Sequence, residues 1–179
     1  MPKYKITIEY DQMPDNPLDW DDNLIVACKH SRYDLGNYSF DDLMIEYDLD
    51  DEYLSFGEIL TELNKHGVAY PLSMIDHSGI SVYIGNPCCS WDSGYIGVVF
   101  VHNEDIDDCP KDRIDSIIEC YNDYLNGYVY CGIVEVYTSE GMEFVYGSCN
   151  HYDMDELKQI MLDNVPIEYR DNVEWVGLK

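Results

Sequence analysis

Three short stretches carry the residue types from which active sites are made. Asp76-His77-Ser78-Gly79 sets an acid, an imidazole and a hydroxyl side by side. A catalytic triad needs those groups to meet in space, and side chains adjacent in sequence point apart. A turn fits better, with Asp and Ser bonding local backbone and Gly supplying positive φ. Cys88 or Cys89 as nucleophile, with His77 as base, is the most specific enzymatic arrangement on offer. A negative surround opposes it, because it raises a thiol pKa and disfavours the thiolate. Trp91-Asp92-Ser93-Gly94 with Gly97 lacks the Lys and the following helix of a phosphate loop, and reads as a structured loop with Trp91 packed down. Carboxylates are too numerous for any pair to be singled out. No catalytic residue, metal-ligand set or cofactor motif is assigned, and a non-enzymatic role is expected.

The carboxylates themselves are the stronger signal. Thirty-six Asp and Glu stand against ten Lys and Arg, a net charge of −26 over 179 residues. Self-repulsion on that scale works against a compact state. The chain is rich in Asn, Ile and Tyr, and a compositional drift towards those residues would bring Lys with it, yet Lys is scarce. Basic residues read as selected against. Duplex DNA carries one charge per about 1.7 Å of axis, so 26 charges match roughly 44 Å, or about 13 base pairs. The plain alternative is an acidic protein of no special role, or one from a high-salt cytoplasm. Direct nucleic-acid binding is not expected, because phosphate contacts need Lys and Arg.

Apolar residues make up 46% of the chain and aromatics 13%, including 17 Tyr, enough for a sizeable core. The length suits one domain, 1–179. The seven cysteines (28, 88, 89, 109, 120, 131 and 149) include no CxxC pair and no zinc spacing. With no secretory signal and no apolar run of about 18 residues, reduced, buried thiols in a bacterial cytoplasm are expected, with no membrane contact.

Periodicity places the elements. Lys5–Tyr10 alternates as a strand with Ile6 and Ile8 inward, and Asp, Asn and Pro make 11–23 a loop. The dense acidic run Asp41, Asp42, Glu46, Asp48, Asp50, Asp51 and Glu52, anchored by Leu43, Ile45 and Leu49, reads as an exposed, mobile segment. Ser55 and Glu58 form a capping box before a helix over 56–66. Strands are predicted over 68–75, 80–84 and 95–102. Pro110 and Gly127 bracket a helix whose apolar face is Ile114, Ile117, Ile118, Tyr121 and Leu125. Asp108, Asp112, Asp115, Glu119 and Asp123 recur on another face at helical spacing. A hairpin turns at Ser139-Glu140-Gly141, Asp153 and Glu156 cap a last helix that Pro166 ends, and a short strand lies within 173–178. Consecutive strands outnumber helices, which predicts an α+β fold: a mainly antiparallel sheet with about three helices packed on one side.

Tyr70-Pro71-Leu72, Asp76-His77-Ser78-Gly79-Ile80 and Trp91-Asp92-Ser93-Gly94-x-x-Gly97 resemble a recurring stretch in a family of small acidic proteins of bacteriophages and plasmids. Trp20-Asp21-Asp22-Asn23 and His30-Ser31-Arg32-Tyr33-Asp34-Leu35-Gly36 look like its N-terminal motif, so that the likeness spans roughly residues 3–135. The resemblance implies a mobile-element origin and supplies no catalytic residues. By analogy with antirestriction and anti-CRISPR proteins that imitate DNA, whose motifs this chain does not share, it implies an anti-defence inhibitor. The expected partner is a basic nucleic-acid-binding host protein, a CRISPR effector or restriction enzyme, held by Asp41–Glu52 and by Asp108, Asp112, Asp115, Glu119 and Asp123. A cysteine- or histidine-dependent enzyme, a structural module of a phage complex, and a homodimer stay open.

Overall fold

The computed structural model describes residues 2–49, 52–77, 79–88 and 92–178. Ser78, Cys89, Trp91, Asp50 and Asp51, singled out above, lie outside them. The fold is mixed α+β, with two largely antiparallel sheets and helices packed alongside. The chain divides into two compact units, residues 1–15 with 127–179, and residues 16–126.

The first unit holds β1 (Lys3–Tyr10) at the centre of a four-stranded sheet. On one side β1 pairs antiparallel with β7 (Tyr130–Thr138), which turns into β8 (Gly141–His151); on the other it pairs parallel with β9 (Glu174–Gly177). Period-2 alternation sends Ile6, Ile8 and Val134 to one face. There α4 (Met154–Asp163) lays down Leu157 and Met161, and Val165 follows. The Asp153 carboxylate caps α4 by accepting from the amides of Asp155 (2.8 Å) and Glu156 (3.0 Å).

The second unit is built on β6 (Ser93–His102). It runs antiparallel to both its neighbours, β2 (Ile25–Cys28) and β4 (Gly67–Asp76); β3 (Tyr38–Ser39) and β5 (Ile80–Ile84) are the edges. Ile96 and Val98–Val101 are all buried, so both faces of the strand must be covered. On one face Val99 and Val101 meet Ile114, Ile117, Ile118 and Tyr121 of α3 (Lys111–Leu125). On the other, Val98 and Phe100 meet Phe40, Leu43 and Met44 of α1 (Phe40–Glu46), and Ile59 and Leu63 of α2 (Phe56–Leu63). The Ser55–Glu58 capping box is present at α2.

One expectation is corrected here. The acidic run begins as a packed helix, α1, and not as a loose segment. The Ser39 hydroxyl accepts from the Asp42 amide (3.3 Å), and Asp41 and Asp42 lie in the first turn, where negative charge complements the helix dipole. Leu43 is buried and Leu49 packs against the same cluster, as expected, with Phe40 and Met44 beside them, while Ile45 is 76% exposed. The spacing 40, 43, 44 is the helical signal that the density of acids obscured.

Gly97 is where β2 and β6 come closest: a Cβ there would stand 1.9 Å from the Ala27 carbonyl oxygen. Gly97→Ala is therefore expected to lower unfolding stability by about 1–3 kcal/mol. Urea denaturation read by far-UV circular dichroism measures it.

Candidate functional site

The second unit carries all the described acids among those chosen above. α3 is held rigidly enough to present a fixed pattern. Its inner face is apolar, and polar side chains fasten both flanks. Asn122 donates through Nδ2 to the Val82 carbonyl (2.8 Å) and accepts at Oδ1 from the Val82 amide (2.7 Å), locking α3 to β5. The Tyr121 hydroxyl accepts from the Gly36 amide (3.0 Å). Arg113 donates through Nε to Asp21 Oδ2 (2.5 Å), and Asp21 is only 7% exposed.

With the inner face so fixed, Asp112, Asp115 and Glu119 are exposed and Asp123 is half-buried on the same outer side. The eleven helical steps from Asp112 to Asp123 span about 16 Å, which spaces successive carboxylates about 5–6 Å apart along the axis, against one phosphate per about 3.4 Å of axis on a DNA strand. Lys111 and Asp115 form an ion pair within the stripe. Among the described residues, no cation forms an ion pair with Asp112, Glu119 or Asp123. Burial first, and the neighbouring Glu119 charge second, push the Asp123 carboxyl above its ordinary pKa. Asp108 is exposed in the segment before α3.

The other acid group is separate. Asp41, Asp42 and Glu46 sit on α1, which covers the opposite face of the sheet. Asp41 pairs with Lys29 (2.7 Å), and Glu46 accepts from the Tyr38 hydroxyl (3.1 Å). Asp48 follows with φ +53, and Glu52 is exposed. The two groups do not form one continuous stripe. Across the chain, each of the nine described Lys and Arg residues is paired with a carboxylate.

A second feature was not assembled from the sequence. Because β6 is antiparallel to both β2 and β4, the C-terminal ends of β2 and β4 flank its N-terminal end. The segments after Cys28, around Asp76 and before Tyr95 therefore converge on an open cleft of about 460 Å³. Arg32 donates to Asp76 Oδ2 (2.6 Å), the Tyr33 hydroxyl donates to the same oxygen (3.1 Å), and His30 stacks on Tyr33 at 5.0 Å. His77 Nδ1 lies 3.9 Å from Asp92 Oδ2. Gly36, at φ +85 and with its Cα packed against the Val26 carbonyl, closes the loop that carries His30 and Arg32. The motifs quoted for the family resemblance were the available signal; what they lacked was the strand pairing that brings them together.

Thiol chemistry finds little support from the buried and half-buried cysteines. Burial pushes the Cys28 thiol up to about 12 and, with Asp21 nearby, the Cys109 thiol up to about 11; Cys120 is raised as well, again chiefly by burial. Such thiols stay protonated at neutral pH and are poor nucleophiles. Cys88 is exposed, with its Sγ 3.9 Å from the Ser93 hydroxyl. The expectation of reduced thiols throughout is corrected in the first unit, where Cys131 and Cys149 form a disulfide. Among the described residues, no helix is long and apolar enough to cross a membrane. No family model matches the chain, and comparison with curated proteins and with solved structures returns no match.

Burial first, and the Glu119 charge second, disfavour the charged form of Asp123. A carboxyl with a raised folded-state pKa contributes stability below its unfolded value and loses it as pH rises through the folded value. Asp123→Asn is therefore expected to raise the thermal midpoint at pH 7 and to leave it nearly unchanged at pH 3. Calorimetry at the two pH values checks this, and equal shifts at both would refute it.

Proposed function

We propose that this chain is a non-enzymatic interaction module that captures a strongly basic macromolecule on the outer face of α3. The observation that carries this reading is the pairing of every described Lys and Arg with a carboxylate, while Asp112, Glu119 and Asp123 stand on one face of α3 with no described cation in an ion pair with them. An acidic face of this kind attracts cationic partners over a distance set by ionic strength and speeds their encounter. The same pairing leaves no described side-chain cation uncommitted for phosphate contact, which supports a protein partner over a nucleic acid.

In its narrowest form, the partner is a host CRISPR effector or restriction enzyme in the bacterial cytoplasm, and the chain is an anti-defence inhibitor seated in the positively charged nucleic-acid channel. A basic component of a phage particle or replication complex fits the same chemistry and defines the structural-module form. Competition separates them: an inhibitor is displaced by DNA, and a structural module is retained.

The test is retention of purified basic partners on the immobilised chain at graded salt. Asp112→Lys, Asp115→Lys and Glu119→Lys combined are expected to weaken retention at least ~100-fold at low salt, with the fold preserved by circular dichroism. Undiminished retention by that folded variant would remove α3 from the interface.

A second reading rests on the cleft, where His30, Arg32, Asp76 and Asp92 converge with His77 and Cys88 nearby. It is the cysteine- or histidine-dependent enzyme. Alkylation of Cys88 in the folded protein discriminates: loss of an activity without loss of structure supports chemistry, and unchanged partner capture supports the module.

A further inference from the structure

We infer that Cys131, Cys149 and Asp11 form a thiolate–carboxylate site for a single zinc-class divalent cation, available only when the Cys131–Cys149 disulfide is reduced. The inference concerns the first unit and is independent of the acidic face of α3.

Three features meet there. The first is placement. β7 and β8 lose register between Tyr130↔His151 and Gly132↔Ser148, so Cys131 stands opposite Cys149 and Asn150 together. Asn150 takes a left-handed conformation, φ +61, which is the bulge's backbone signature. The second is the fixing of the carboxylate. Asp11 follows β1, and its amide donates to the Val129 carbonyl (2.7 Å). Its Oδ2 accepts from the Asn150 amide (3.0 Å) and its Oδ1 from the Met13 amide (2.9 Å), which holds the acid over the bulge. Sγ of both cysteines and a carboxylate oxygen then lie within 4.8 Å of one another.

The third is charge. Two thiolates beside a carboxylate concentrate three negative charges in one spot. That triple charge is relieved by protonation, by joining the sulfurs, or by a cation. Tetrahedral zinc with bonds of about 2.3 Å to sulfur and about 2.0 Å to oxygen needs the two sulfurs about 3.8 Å apart, a short side-chain rotation from the disulfide. Soft sulfur donors select zinc over magnesium or calcium, which the many surface carboxylates would otherwise attract. Water completes the fourth position.

Loading and oxidation exclude each other. With a small-molecule disulfide such as glutathione disulfide, the exposed Cys149 thiolate attacks one sulfur and expels one glutathione thiolate. The Cys131 thiolate then attacks the Cys149 sulfur and expels the second. Two protein thiolates have become one disulfide, the reagent has become two thiolates, and the cation is released.

The test uses the full chain carrying Cys88→Ser and Cys89→Ser, reduced with a phosphine and titrated with cobalt(II). A sulfur-to-cobalt charge-transfer band saturating at one equivalent, and abolished by one equivalent of zinc, is the expected result. Asp11→Asn, which keeps both thiols, is expected to weaken cobalt binding ~10-fold or more, and Cys131→Ser to abolish the band. The oxidised chain, folded by circular dichroism, is expected to show no band. Absence of the band in the reduced chain, its persistence in Cys131→Ser, or an unchanged affinity in Asp11→Asn overturns the site.

Discussion

Everything in the second unit depends on β6 pairing antiparallel with a neighbour on each side. A strand buried on both faces demands two apolar covers, and Val99 and Val101 receive α3 while Val98 and Phe100 receive α1 and α2. That single requirement separates the two acidic groups, since the helices that carry them cannot share a face. It also gathers the loop ends: antiparallel neighbours bring the exits of β2 and β4 to the entrance of β6, where the cleft forms. The close approach at Gly97 is the local condition for β2 to join at all.

Charge is the opposing constraint. A net charge of −26 resists compaction, so apolar burial must offset the repulsion. Three apolar clusters supply it, two around the second unit's sheet and one beneath α4. The scarce cations are then used one by one. Most of their ion pairs are exposed, of the kind worth at most about 1 kcal/mol. Arg113 with Asp21 differs, because Asp21 is almost wholly buried and loses its counter-charge if Arg113 goes. The same arginine also ties α3 to the preceding 3-10 turn at Pro17–Trp20, so one cation both neutralises a buried acid and fixes the acidic helix.

Much of this was legible in the residues. The α+β class and antiparallel pairing follow from alternation in Lys5–Tyr10, from the β-branched runs that become β4, β5 and β6, and from the 114, 117, 118, 121 stripe of α3. The capping box at Ser55 and the side-chain cap at Asp153 sit where they were placed. What escaped shares one cause: it depends on partners distant in sequence. α1 needs the underside of the sheet to make Phe40 and Met44 inward-facing. The cleft needs strand order. The Cys131–Cys149 bond needs a bulge that sets one residue against two, which spacing in the chain does not reveal. The acidic stripe on α3 was visible as a period, but Lys111 and Arg113 on the same helix show that its compensation is partial and not absent.

The raised pKa of Asp123 links these themes. Selection for stability alone would replace a half-buried carboxylate that has a like charge one turn away and no cation beside it. Asn is isosteric there and would remove the repulsion. On the proposed reading, a partner's lysine or arginine placed between Asp123 and Glu119 would relieve that repulsion.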